Sequence, residues 1–277
     1  MATNSAVVDE GGFDLVEPRA DVLMESLRAT GYSLPDAIAD LIDNSLTAGA
    51  RNVWLAFHWA GHNSSVSLLD DGSGMTRLAL INAMRMGSQS PLEERAGTDL
   101  GRYGLGLKTA SISQARSLTV ASRVAGDPEI SVRRWDLDHV ASVKDWHLLK
   151  SATAEGDDHF AVLGDMAHGT LVLWEKGDRR VGEDEAPDAR ARRHFLEATR
   201  GVEAHIAMVF HRFMRSPKAV AFWINGQRIT PWDPFLADQE ATQRLPIESL
   251  GQPGAKVTVE PYILPHHSRL TAEEHSA

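Results

Sequence analysis

Cysteine is absent from the 277 residues, which excludes disulfides and thiolate metal centres and makes the cytoplasm the expected location. No run of about eighteen apolar residues occurs, so no membrane span is expected. The opening stretch, MATNSAVVDEGGFDLVEP, lacks the basic start and apolar centre of a secretion signal. Positive charge is also in deficit: 28 Lys and Arg stand against 38 Asp and Glu, a formal charge of −10. Nucleic acid is held by clustered cations that release counterions from phosphates. Here the basic residues are scattered among acids, and the segment is not expected to be a nucleic-acid platform by itself. The adjacent His266 and His267 have no carboxylates at metal-ligand spacing and read as part of a solvated tail.

What is present is a chain 43% hydrophobic, enough for a substantial core, with helical and strand patterns in alternation. A short helix is predicted over Asp21–Ala29. Ser33 reads as the N-cap of a second, with Pro35 tolerated in its first turn and Gly49 at its end. Period-two alternation predicts strands over Asn52–Trp59 and Ser65–Leu69, a helix follows over Met75–Met86, and the polar stretch from Ser88 to Gly101 predicts a flexible loop. A helix is expected from about Gly106. Strands are expected over Ser117–Arg123, Ile130–Trp135 and Thr170–Glu175, and a long helix over His194–Met214. Asn225-Gly226, between two strand-like runs, predicts a hairpin. A last strand is expected over Ala255–Leu264. The alternation points to layered α and β elements.

Three short patterns carry candidate chemistry. In Ala39-Asp40-Leu41-Ile42-Asp43-Asn44-Ser45, a helix turning about 100° per residue puts Asp40, Asp43, Asn44 and Thr47 in one polar sector. A carboxylate and a carboxamide there can hold a metal-bound phosphate and a water, though a solvated helix face has the same pattern. Asp70-Asp71-Gly72-Ser73-Gly74-Met75 follows a strand. Its glycines allow a sharp turn and close ligand approach, and a strand-end carboxylate can accept from an exocyclic amine; a plain strand-to-helix turn reads the same way. Gly101-Arg102-Tyr103-Gly104-Leu105-Gly106-Leu107-Lys108 leads into a helix, and glycine-rich backbone at a helix start is a phosphate cradle. It is not a P-loop, because Leu107 stands where the lysine must be. The Rossmann spacing fails as well.

Taken together and in this order, the patterns resemble the GHKL ATPase superfamily of gyrase B, heat-shock chaperones, histidine kinases and MutL. Its Bergerat fold is an α+β, two-layer α/β sandwich. Asp40–Ser45 resembles the first box, Asp70–Met75 the second, Gly101–Lys108 the third and His168-Gly169-Thr170 the fourth. Leu46–Ala50 is similar to MutL proteins. The Gly-Arg-Tyr-Gly form of the third box, with the preceding Met84–Ser90, most resembles prokaryotic MORC-like ATPases.

The resemblance covers about residues 20–225 and implies ATP and Mg²⁺ as ligands. Asn44 would coordinate Mg²⁺, and Asp70 would receive the adenine amine with Thr170 and a water nearby. Gly72, Gly74 and Met75 would shape the adenine slot. Gly101, Arg102, Tyr103, Gly104, Leu105, Gly106 and Leu107 would wrap the triphosphate as part of a lid beginning near Gly87, and Lys108 would help neutralise it. Asp40 matches the catalytic general base, usually a glutamate. The missing methylene shortens its reach by roughly 1.5 Å, and misplacement of about 1 Å can cost about a hundredfold in rate.

The implied layout is a mobile arm over residues 1–17, an ATP-binding domain over 18–217, and the start of an incomplete transducer-like α/β domain over 218–277. The chain thus reads as the first part of a longer protein. A transducer lysine returning to the γ-phosphate is not evident, Lys218 and Lys256 being candidates by default only. The implied function is slow ATP hydrolysis driving a conformational switch and a nucleotide-dependent homodimer. A non-hydrolysing ATP sensor is the alternative that Asp40 favours. A histidine-kinase reading is weakened by the absence of histidine from the first 35 residues. DNA, or a DNA-acting partner, enters by analogy only.

Overall fold

The computed structural model describes residues 16–29, 31–87, 106–154, 156–178, 189–252 and 255–271. Most of the expected arm, residues 88–100 of the expected lid and residues 101–105 of the third box lie outside them.

Helix α1 spans Ala20–Arg28 and α2 spans Leu34–Thr47. Ser33 caps α2 by accepting the Asp36 N–H at 3.2 Å, and Pro35 lies in the first turn, where its missing N–H costs nothing. Strand β1 (Asn52–His58) turns Val53, Leu55 and Phe57 inward and pairs antiparallel with β2 (Ser65–Asp70). Helix α3 runs over Arg77–Met84, two residues later than expected at its start, because the Thr76 hydroxyl accepts from the Ala79 N–H and fixes the cap there.

Next come α4 (Gly106–Gln114), β3 (Ser117–Arg123) and β4 (Ser131–Asp136). Two helices were not anticipated, α5 (Leu137–Val143) and α6 (Asp157–Gly164). The first begins at Asp136, whose Oδ1 accepts from the Asp138 and His139 N–H groups. Strand β5 covers Gly169–Glu175. The predicted long helix is α7 (Ala189–Val209), broken from α8 (His211–Arg215) at Phe210.

The hairpin strands are β6 (Ala221–Ile224) and β7 (Gln227–Arg228), joined through Asn225 and Gly226 at positive φ. Strands β8 (Gln243–Arg244), β9 (Glu248–Gln252), β10 (Ala255–Val259) and β11 (Tyr262–Ile263) follow. The single strand expected over 255–264 is thus two, interrupted at Pro261, which has no N–H for a ladder. They pair separately, β10 with β9 and β11 with β8.

The main sheet has seven strands in the order β4-β3-β5-β2-β1-β6-β7, with only the β1–β6 neighbours parallel. The boundary expected at 217/218 therefore precedes two strands of this same sheet. Phe222 and Ile224 of β6 are buried in the same core as Leu55 and Leu68. Helices α1, α2 and α4 supply Met24, Ile38, Leu41, Ile42 and Ile112 to one sheet face. Each such side chain contributes about 2 kcal/mol through burial. The opposite face is covered in part by Phe160 and Leu163 of α6, over Ala121, Leu171 and Leu173. This is an α+β sandwich, as expected, with a small addition on its second face. Among the described residues no helix is long and apolar enough to cross a membrane.

Candidate functional site

The sheet order does the first part of the assembly. Because β5 lies between β2 and β3, its Thr170 stands opposite Asp70 on one side and Ser122 on the other. Asp70 is 4% exposed. Its Oδ1 accepts the Gly72 N–H at 2.8 Å, and its Oδ2 accepts the Ser45 hydroxyl of α2 at 2.8 Å. Burial pushes the Asp70 pKa up, the Ser45 and Gly72 donors oppose that rise, and the neighbouring Asp71 charge adds to it.

Ser122 was not singled out from the sequence. Its Oγ accepts the Met75 N–H at 2.8 Å and lies 2.8 Å from Thr170 Oγ1 and 3.1 Å from the Gly169 carbonyl oxygen. It therefore ties the second box to the fourth. His168 adds a further tie, with Nδ1 2.7 Å from the Gly72 carbonyl oxygen.

Two glycines are required by the close approach of backbones. A Cβ on Gly74, at φ +70°, would lie 1.8 Å from the Arg123 carbonyl oxygen, and one on Gly169 would lie 2.4 Å from the Asp70 carbonyl oxygen. The adjacent acids divide their work. Asp71 faces the start of β1, accepting from the Arg51 and Asn52 N–H groups at 2.7 and 2.8 Å and from Asn52 Nδ2 at 2.8 Å. Burial alone would raise its pKa, but these donors outweigh burial and hold it below the usual carboxylate range.

The second half of the site is the polar sector of α2, facing α4. Asp40 is half-buried; burial raises its pKa, the polar influence of Tyr32 lowers it, and Asp36 raises it through charge. Asp43 is also raised, first by burial and then by Asp40. Gly106, the first residue of α4, lies directly against Asp40: a Cβ there would be 3.3 Å from Oδ2. Asn44 donates from Nδ2 to the Asp40 backbone carbonyl at 2.8 Å, and its amide oxygen is the group it could offer a cation.

Lys108 is 1% exposed, and its Nζ donates to the Ala83 carbonyl at the C-terminus of α3, at 2.8 Å. Burial lowers its pKa to about 8. Its ammonium is thus engaged by α3, where a helix end favours a cation, whereas the sequence reading had it at the phosphates. Leu107 and Met75 pack at the edge of the main core. His266 and His267 lie with ring centroids 3.9 Å apart, tilted by 44°, and His266 Nδ1 lies 2.9 Å from the Ser268 hydroxyl and accepts the Ser268 N–H at 3.3 Å. Among the described residues no group of three or more His, Cys, Asp or Glu could hold a metal.

A mixed sheet with helices packed on one face, a buried strand-end acid and a facing helix of acid and amide define an α+β sandwich of the GHKL class. Residues 32–170 match the family described as histidine kinase-, DNA gyrase B-, and HSP90-like ATPase, and the chain belongs to that family. It is 32% identical over 90 residues to ATPase morc-1 of Caenorhabditis elegans, covering 32% of this chain and 10% of that protein. With the DNA mismatch repair protein MutL of Bradyrhizobium diazoefficiens it shares 26% identity over 196 residues, 70% of this chain and 28% of the other. With MutL of Halobacterium salinarum it shares 34% over 110 residues, 38% of this chain and 16% of the other. Both kinships suggested by the motifs are therefore found. The chain spans less than a third of the length of each of these relatives.

Proposed function

We propose that this domain binds Mg-ATP and hydrolyses it slowly, using the bound nucleotide to switch between conformations and to bring two protomers together. The observation that carries the reading is the alignment of Asp70, Thr170 and Ser122 across three strands, joined through Ser45 to the helix bearing Asp40 and Asn44. Asp70 would take the adenine amine, beside Thr170 and between Gly72, Gly74 and Met75.

Asn44 would hold Mg²⁺ by its amide oxygen. The sector offers hard oxygen donors only, and Mg²⁺ beside a nucleotide takes one or two protein ligands, with phosphates and waters completing the shell. Bound there, the ion would neutralise phosphate charge. Asp40 would take the proton of the attacking water. Burial raises its pKa, which makes it a better base than a solvated aspartate. Gly106 and the rest of the third box would meet the triphosphate at the start of α4. Residues beyond β7 would begin a transducer-like unit, and the relatives named for DNA mismatch repair support a DNA-related setting.

A second reading is a sensor that binds ATP without turnover. It is favoured by the short reach of Asp40 and by Lys108 being engaged on Ala83. Calorimetric titration with Mg-ATP, together with phosphate release by wild type, Asp40→Asn, Asp40→Glu and Asp43→Asn, separates the readings. Hydrolysis predicts that Asp40→Asn keeps affinity within a few-fold and loses on the order of 10²–10⁴ in rate. Binding without release by wild type supports the sensor. No binding at all sinks both.

A further inference from the structure

Two imidazoles outside the nucleotide site face each other across a turn. His139 stands in the first turn of α5 and His147 in the segment that follows that helix. His139 Nε2 lies 3.3 Å from His147 Nδ1, with the ring planes tilted by 36° and the centroids 5.5 Å apart. Both rings are carried on fixed backbone. The His139 N–H donates to the Asp136 carboxylate that caps α5, and its carbonyl accepts the Ser142 hydroxyl at 2.8 Å. Lys144, at φ +58°, ends the helix and turns the chain back. Before His147, the Trp146 ring packs edge-on against Trp135 with centroids 6.1 Å apart. After it, Leu149 exchanges two backbone hydrogen bonds with Arg134, both of 2.9 Å.

The separation of the two nitrogens is long for a hydrogen bond donated by N–H, which is usually about 2.9–3.0 Å. It matches two nitrogens on one tetrahedral zinc ion, which stand about 3.3–3.4 Å apart when each Zn–N bond is about 2.0–2.1 Å. Neighbouring positions of a square-planar Cu²⁺ or Ni²⁺ at similar bond lengths would bring them to about 2.9 Å. The far side of His147 suits the same role. Its Nε2 lies 3.6 Å from Asp145 Oδ2, and the other oxygen of Asp145 accepts the Trp146 N–H at 2.7 Å. A carboxylate in that place keeps the ring proton on Nε2 and leaves the Nδ1 lone pair for a metal, as outer-shell carboxylates do for zinc-bound histidines.

We propose that His139 Nε2 and His147 Nδ1 are two ligands of a zinc-class divalent cation, with Asp145 orienting His147 from behind. Among the described residues no third protein ligand joins them, so water would fill the remaining positions. The ion would staple α5 to the segment that leads into the Arg134–Leu149 bridge. Mg²⁺ prefers oxygen ligands and imidazole suits zinc, so the site stands apart from the Mg-ATP reading and does not depend on it.

The test is a calorimetric titration of untagged, chelator-stripped, nucleotide-free protein with zinc chloride. We expect one equivalent bound with micromolar affinity, because two imidazoles hold zinc less tightly than the four ligands of a structural site. An excess of Mg²⁺ should leave it in place. Asp145→Asn should weaken binding about tenfold, and His139→Asn or His147→Asn by more than that, since loss of an outer-shell group alone costs about 10–100-fold. Changing both His266 and His267 to alanine, the other adjacent pair, should leave the affinity within twofold. Circular dichroism checks that each variant is folded. The ¹⁵N shifts of the His139 and His147 rings in wild type give a second readout that needs no folded variant, and both should move on adding zinc. No binding up to millimolar zinc overturns the proposal. So does binding that survives in the folded double variant of His139→Asn and His147→Asn, binding lost with His266 and His267 instead, or ring shifts that stay still.

Discussion

Ser45 Oγ lies 2.8 Å from Asp70 Oδ2, both side chains buried, so the helix carrying Asp40 and Asn44 is fastened directly to the acid at the end of β2. The two halves of the candidate site thus meet at this bond. Ser45→Ala leaves a buried acceptor without its donor, at a cost of about 1–3 kcal/mol. Thermal denaturation should detect that loss, and calorimetry should find weaker nucleotide binding because Asp70 is no longer held. Unchanged stability and affinity together would mean the bond is incidental.

Asp70 and Asp71 should separate cleanly when each is changed to asparagine. Asp70→Asn places a donor where the adenine amine would come and should weaken Mg-ATP binding at least tenfold, about 1.4 kcal/mol, with a smaller effect on folding. Asp71→Asn should do the reverse, loosening the start of β1 while sparing affinity. Because the donors around Asp71 depress its pKa in the fold, its contribution is present above the unfolded value of about 4 and is lost as pH falls through the lower folded value. Acid unfolding of Asp71→Asn should therefore be flatter with pH in that range. Equal affinity losses in the two variants would refute the division of labour.

Gly74 admits no side chain, since its φ is +70° and the Arg123 carbonyl oxygen occupies the place of a Cβ. Gly74→Ala should cost at least about 2 kcal/mol, through overpacking and through a backbone angle that alanine resists. It should also break the Met75–Ser122 contact next to it. Melting temperature and proton exchange of the Met75 amide would report both. A wild-type melting curve would contradict the close approach.

Lys108 makes a prediction whose sign is set by its lowered pKa of about 8. Between that value and the unfolded value near 10.4 the unfolded chain binds the extra proton, so wild-type stability gains from this group as pH rises. The stability of wild type relative to Lys108→Met should increase from about pH 8 to about pH 10 and be flat below. A constant difference across that window would show that the ammonium is not penalised by burial.

The local parts of this fold were legible in the sequence, and the parts made by distant pairing were not. Ser33 and Pro35 announced α2, alternation announced β1, and Asn225-Gly226 announced the hairpin, each from contiguous residues. The four boxes were equally visible. Ser122 was not, because only the placement of β5 beside β3 brings it to the site. Lys108 was placed by its position in the chain, while its direction was decided by the end of α3. Helix α5 was missed although Asp136 is a readable cap, because only a few residues follow it before the αL residue Lys144 ends the turn. The hairpin was identified, but not its attachment to β1, which lies far back in the sequence.

That attachment bears on how the chain is made. The outer edge of β1 is completed only by β6, which follows about 160 residues later. At translation rates of about 5–20 residues per second, the edge waits on the order of ten to thirty seconds after β1 leaves the ribosome. During that interval Asn52–Leu55, the residues that later pair with β6, present an open ladder next to Trp54 and Phe57, the kind of edge that recruits other chains. A nascent-chain chaperone is the kind of factor that could guard it until Ala221–Ile224 emerges.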